Sequence, residues 1–501
     1  MGEHYRQLVE HLNEIYHINR ATSLLRWDQQ VSMPPGGAHA RAGVIATLSR
    51  LEHERFTSPQ TADLLAAAQA ELNGAAYDSD EASMLRVVGQ DYDRATRLPA
   101  ELVADYAEAT ASAHKIWTHA RQTNDFAAFE PALERIVDLA LRRADQWGYT
   151  DHPYDALMQQ YERGMTTARV RELFDGHKPQ LVALIAAIKD SGVTVSDAIL
   201  RQRFPIDQQN TVALKIVEAF GYDFKRGRQD VAVHPFAMRF SRGDARITTR
   251  FTEDYLPPAL FGTFHEGGHA MYEQGISETI DGTMIGCGAS LGMHESQSRL
   301  WENLVGRSRG FWGWALPQLQ AAFPDQLGSV DLETFYRAIN AVQPSYIRVE
   351  ADEATYNLHI MLRFELESDL VAGKLKVADL PREWNARFEA YFGMTPPTDT
   401  VGVLQDVHWS SGLIGYFPTY ALGNLLSVQF YNEAIKAHPT IPAEIAAGKF
   451  DTLLNWLCVH IYQHGRKFTA QELTERITGG AIRSEDYIQY LQTKFGDLYN
   501  L

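Results

Sequence analysis

The chain has 501 residues, 45% hydrophobic and 22% charged, with 46 Lys and Arg against 63 Asp and Glu for a net charge of −17. This is the composition of a folded globular protein, long enough for one large domain or several small ones. The acidic balance argues against a broad nucleic-acid or anionic-membrane surface, so neither is an expected partner.

The amino-terminal segment is amphipathic rather than a charged-then-apolar leader, and the chain contains no run of 18 apolar residues. Cys287 and Cys458 lie too far apart in sequence for a disulfide framework or a thiolate metal cluster. These features predict a cytoplasmic protein. Apolar residues recur at three- and four-residue steps, as in Leu8, Leu12, Ile15 and Tyr16 and again in Leu133, Ile136, Leu139 and Leu141. The predicted fold is therefore mainly α. Breaks such as Met33-Pro34-Pro35-Gly36-Gly37, Ser58-Pro59, Gly148 and Gly221 read as short connections, and a single domain over residues 1–501 is favoured. Between Val231 and Phe251, two β-prone runs flank Ser241-Arg242-Gly243-Asp244, which predicts a hairpin. Such a small sheet serves either as a packing flap or as an edge strand for an extended peptide.

The next segment, His265-Glu266-Gly267-Gly268-His269, has the H-E-x-x-H spacing. Pro257 and Pro258 suit the first turn of a helix and Gly275 its end. On that helix the two imidazoles share one face and can reach one cation, with Glu266 beside them to take a proton from metal-activated water. Gly267 and Gly268 each cost about 1 kcal/mol relative to Ala in a helix, so a close approach by another element is expected there. A third His six residues after His269 is excluded, because that position is Gly275. Glu295, 295 − 269 = 26 residues on, completes a set of two imidazoles and one carboxylate, with His294, Glu302 and Glu273 as rival ligands.

Further motifs accompany this one: His234-Pro235-Phe236, Asp244-Ala245-Arg246-Ile247-Thr248, His294-Glu295-Ser296-Gln297, Ile347 to Asp352, and Gly402 to Trp409. Together with H-E-x-x-H they resemble the thermostable (Taq-type) metallocarboxypeptidase family. The resemblance covers the chain by motif from Val231 onward, and residues 1–230 in length and helical character only. It implies a large helical metallopeptidase fold with a deep groove between two lobes and a small β-sheet beside the H-E-x-x-H helix. It also implies a divalent metal, Zn2+ with Co2+ able to substitute, and a homodimer. The implied activity removes single residues of broad specificity from peptides with a free carboxyl terminus.

Carried onto this sequence, the family pattern makes His265, His269 and Glu295 the metal ligands, and Glu266 the base toward water and then the acid toward the leaving amine. His408 and Tyr420, with Tyr416 ranked behind, are the expected oxyanion donors. Arg348 is expected to bind the substrate carboxylate, as a planar guanidinium matches that group by two parallel hydrogen bonds. His234, Gln405 and Asp406 are expected along the groove, and Asp352 is expected to orient a ligating His. Helices over roughly residues 1–75 would cover the groove and restrict it to chain ends. Two other readings are an oligopeptidase or endopeptidase on the same scaffold, and a non-catalytic helical protein with a structural metal.

Overall fold

The three- and four-residue spacing is realised as helix along most of the computed structural model, which describes residues 2–501. Leu8, Leu12, Ile15 and Tyr16 form one buried stripe on α1 (Glu3–Val31). Pro34 and Pro35 separate it from α2 (Ala38–Phe56), and the Ser58 hydroxyl caps α3 (Pro59–Glu71) with Pro59 in the first turn. Leu8, Leu12, Leu65 and Ala68 share a small core with Ile276, Ile280 and Ile285, so these helices dock on the segment that follows the H-E-x-x-H helix. No side chain of α2 is buried. A second, larger core runs from Ala113 to Tyr499. Among the described residues no helix is long and apolar enough to cross a membrane.

The hairpin forms as β2 (Ala237–Ser241) and β3 (Asp244–Thr249), antiparallel with Ala237 opposite Ile247. The sequence reading missed β1 (Gln229–Val231), which pairs parallel to β3 and makes the order β1-β3-β2. The residues from Ala232 to Phe236, expected as strand, are the connection between β1 and β2. β2 is an edge, and part of that edge is occupied: Arg20 and Tyr16 of α1 donate to the Arg239 and Phe240 carbonyls, at 2.9 and 3.4 Å.

The motif helix spans Pro257–Gln274 and stops at Gly275, the bounds set by its prolines and glycine. Its two internal glycines answer to close packing. A Cβ on Gly267 would lie 2.3 Å from the Val217 side chain, and one on Gly268 would lie 2.7 Å from the Gln297 carbonyl oxygen and Ser298 Cα. The helix that meets it, Leu291–Arg299, is contacted on another side by Gly423 of the helix Pro418–Ala437, where a Cβ would lie 2.5 Å from Glu295 Cβ. Gly423→Ala should therefore lower stability by about 1–3 kcal/mol, the usual cost of overpacking. On the expected ligand assignment it should also weaken metal binding, because Glu295 would be displaced. Thermal melting and a zinc titration check this, and a wild-type melting temperature contradicts it.

Candidate metal centre and active site

The motif helix and the helix Leu291–Arg299 bring His265, His269 and Glu295 together. One carboxylate oxygen, Glu295 Oε2, lies 3.5 Å from His265 Nε2 and 3.6 Å from His269 Nε2. Zinc–nitrogen and zinc–oxygen bonds of about 2.0–2.2 Å in a tetrahedron place neighbouring donor atoms about 3.3–3.6 Å apart. The donor set and its spacing thus fit a divalent cation with a fourth position free.

Each of these three side chains is held from behind. Glu295 Oε1 accepts from Arg299 Nε at 2.7 Å, and Oε2 accepts from the Ser298 hydroxyl at 3.2 Å. Although burial opposes ionisation, Arg299 and the two imidazoles hold the Glu295 carboxyl well below the usual range. His265 Nδ1 is 2.8 Å from Glu302 Oε2. Burial disfavours the Glu302 anion too, yet Arg299 and His265 pull its carboxyl down to about 2. His269 Nδ1 faces His294 Nδ1 at 3.1 Å, and His294 Nε2 in turn meets Glu273 Oε1 at 2.6 Å. The three rival ligands of the sequence reading, His294, Glu302 and Glu273, therefore stand behind the imidazoles of His265 and His269. Glu302 reaches this position from a π-helical turn, Leu300–Val305, that continues the ligand helix.

Asp352 does not play the expected part. Its carboxylate accepts from the backbone N–H groups of Gln343, Ala354 and Thr355 and holds a turn. The carboxylate behind His265 is that of Glu302, at 2.8 Å.

Glu266 is 6% exposed, and burial raises its carboxyl to about 7 despite the His265 imidazole beside it. A pKa near neutrality lets a carboxylate take and return a proton at little cost. Tyr416 and Tyr420 stack edge to face at 5.4 Å, and His408 Nε2 is 3.3 Å from the Tyr420 hydroxyl. Burial lowers the His408 imidazole to about 3, leaving it neutral. Burial raises both phenols, and the Glu295 carboxylate is among the charges that add to the effect. These phenols therefore stay protonated and can donate hydrogen bonds.

Arg348 is 5% exposed and does not pair with Glu350 or Asp352. Its Nη2 donates to Asp406 Oδ1 at 2.8 Å, its Nε lies 3.2 Å from both Asp406 oxygens, and its Nη1 donates to the Tyr356 hydroxyl at 3.0 Å. Arg363, which the sequence reading did not single out, takes the other Asp406 oxygen at 2.6 Å. Gln405 spends its amide on backbone: Oε1 accepts from Arg348 N, and Nε2 donates to the carbonyls of Tyr346, Val401 and Gly402. His234 lies exposed on the connection between β1 and β2. Its neighbour Phe236 lines a cleft of about 650 Å3 with Trp27, Ile45 and Met238, walled by α1, α2 and β2.

Two buried acids escaped the sequence reading. Glu162 Oε2 accepts from Gly292 N at 2.9 Å, and Tyr161 O accepts from Leu291 N at 3.1 Å, which fixes the first turn of the ligand helix. Glu367 accepts from the Tyr154 hydroxyl, Trp409 Nε1 and Gly415 N at 2.6, 2.8 and 3.0 Å. It thereby pins the loop that carries His408 and leads to Tyr416. Nothing in their sequence context marks either acid as buried.

Known proteins resemble the chain over nearly its whole length. Residues 7–495 match the family described as carboxypeptidase Taq (M32) metallopeptidase. The chain is 40% identical to thermostable carboxypeptidase 1 of Thermus thermophilus and 36% identical to carboxypeptidase 1 of Bacillus subtilis, in each case over 99% of both chains. It superposes on the crystal structure of the M32 carboxypeptidase from Deinococcus radiodurans with a TM-score of 0.97, at 42% identity over 100% of both chains. For Trypanosoma cruzi metallocarboxypeptidase 1 the TM-score is 0.94, at 32% identity over 98% of this chain and 99% of that one. The chain belongs to the carboxypeptidase Taq (M32) family and is a metal-dependent carboxypeptidase, a hydrolase of peptides.

Proposed function

We propose that the protein holds one Zn2+ on His265, His269 and Glu295 and removes single carboxyl-terminal residues with broad specificity, with Glu266 as its proton carrier. The observation that carries this reading is the approach of both imidazole Nε2 atoms to one Glu295 oxygen, at 3.5 and 3.6 Å. Two nitrogens and one carboxylate are the donor set of a hydrolytic zinc site, and Co2+ accepts the same donors. A cation bound there supplies Lewis acidity and lowers the pKa of water bound to it.

The protein's own groups do the rest. Glu266 takes the proton of the attacking water and passes it to the departing amine. As negative charge develops on the peptide oxygen, the Tyr420 hydroxyl donates to it, with Tyr416 next to it and neutral His408 backing the Tyr420 hydroxyl. Arg348 carries five N–H donors, and Asp406 and Tyr356 use three of them. The two that remain suit a substrate carboxylate. Gln405 and Asp406 act by fixing Arg348 rather than by touching substrate. His234 lines the outer part of the groove and residues 1–75 form one of its walls within a single catalytic domain, a reading supported by the cleft in which Phe236, two residues beyond His234, meets α1 and α2. Two free cysteines suit a cytoplasmic setting. The homodimer rests on the family resemblance.

The test follows product release from an amino-blocked peptide of mixed sequence, with free and with amidated carboxyl ends. Single residues should leave stepwise from the free end, and amidation should suppress the rate. Arg348→Ala should raise KM about 10- to 100-fold, from the 1.5–3 kcal/mol of a charged hydrogen bond, and lower kcat less. Asp406 keeps Arg363 in that variant, so no buried carboxylate is stranded. An unchanged KM removes Arg348 from the role, and internal fragments appearing first sink the exopeptidase reading.

A further inference from the structure

The two ligating imidazoles are backed differently. His265 Nδ1 meets a carboxylate directly, at 2.8 Å. His269 Nδ1 meets another imidazole, and a carboxylate stands one ring further away. We propose that His294 is the positioning residue of His269, one link in a relay from Glu273 that fixes which ring nitrogen His269 offers to the cation. The inference rests on the reading of His265, His269 and Glu295 as the ligand set.

Hydrogen-bond accounting assigns every proton in the relay. An ionised carboxylate only accepts, and Glu273 is paired with the Arg239 guanidinium at 3.1 Å. The proton between Glu273 Oε1 and His294 Nε2, 2.6 Å apart, is therefore carried by Nε2. With one proton on each ring, the Nδ1 of His294 has a lone pair. The only proton left for the 3.1 Å contact between the two Nδ1 atoms is that of His269. With Nδ1 protonated, His269 turns the lone pair of Nε2 toward Glu295 Oε2. Reversing the tautomer of His294 would set the Nε2 lone pair against the Glu273 carboxylate, 2.6 Å away.

The ring of His294 is built into its place. Tyr272 packs against it with centroids 4.8 Å apart. A Cβ on Gly288 would fall 2.3 Å from the ring, so the backbone there closes directly over it. At the far end, Arg239 also binds Asp281 at 2.5 Å and the Tyr16 hydroxyl of α1 at 3.0 Å. The relay thus ties the amino-terminal helices to one metal ligand.

The experiment measures zinc affinity of the full chain by competition with a chelator, together with the melting temperature of the metal-free protein. The Asn side chain can set an acceptor oxygen where His294 has Nδ1, whereas Gln reaches the position of Nε2 and leaves His269 without an acceptor. His294→Asn should keep an affinity near that of the wild type. His294→Gln and His294→Leu should bind zinc about 10- to 100-fold more weakly, the range for loss of an outer partner of a ligand. Wild-type affinity in both Gln and Leu variants overturns the inference, and so does equal loss in Asn and Gln, which would make the ring's bulk rather than its acceptor decisive. Should Leu fail to fold, the Asn and Gln pair still decides. Failure of the ligand set itself reads differently: His265→Ala would then bind zinc as the wild type does.

Discussion

Glu266→Gln should lower kcat about 10²- to 10⁴-fold, the range for a lost general acid-base group, while zinc content and KM stay close to the wild type. The substitution keeps the shape of the side chain and removes only its capacity to carry a proton. Glu266 sits 6% exposed beside His265, and burial has brought its carboxyl up to about 7. Little free energy therefore separates its two protonation states at neutral pH, which suits a group that must act first as base and then as acid. Gln can do neither. Steady-state kinetics and metal analysis on the same preparation check the result. Turnover within a few-fold of the wild type, with metal bound, removes Glu266 from the role.

His265→Ala should lose both the metal and the activity. Two donors remain, His269 and Glu295, and a zinc site held by two ligands is far weaker than one held by three. The fold should survive, because the groups left behind keep partners. Glu302, which faces His265, still has Arg299 at 3.2 Å and Arg307 at 3.7 Å. Glu295 still has Arg299 at 2.7 Å. The contrast with Glu266→Gln is the informative part: one variant is inactive with its metal, the other inactive without it. Metal analysis after gel filtration distinguishes them, and full occupancy in His265→Ala contradicts the ligand assignment.

The parts of the site visible in the sequence are those fixed by local geometry. Helical periodicity puts His265 and His269 on one face, Pro257 and Gly275 bound their helix, and the cost of Gly267 and Gly268 announces a neighbour pressed against them. What stayed hidden depends on contacts between distant segments. β1 is three residues long and exists only because β3 pairs with it. Arg348 finds Asp406, 58 residues later, rather than the acids two and four positions away. The family motif offered Asp352 as an outer partner of a metal-binding His, yet its carboxylate is committed to three backbone N–H groups. Glu302 lies behind His265 because the ligand helix widens into a π turn, and no spacing rule forecasts that.

The glycine contacts carry a lesson for anyone redesigning the enzyme. Where the chain presses close at Gly268 and Gly423, no spare volume exists for a larger residue, so the seat of His265, His269 and Glu295 tolerates almost no remodelling. The cleft lined by Ile45, Phe236 and Met238, by contrast, has room to be reshaped.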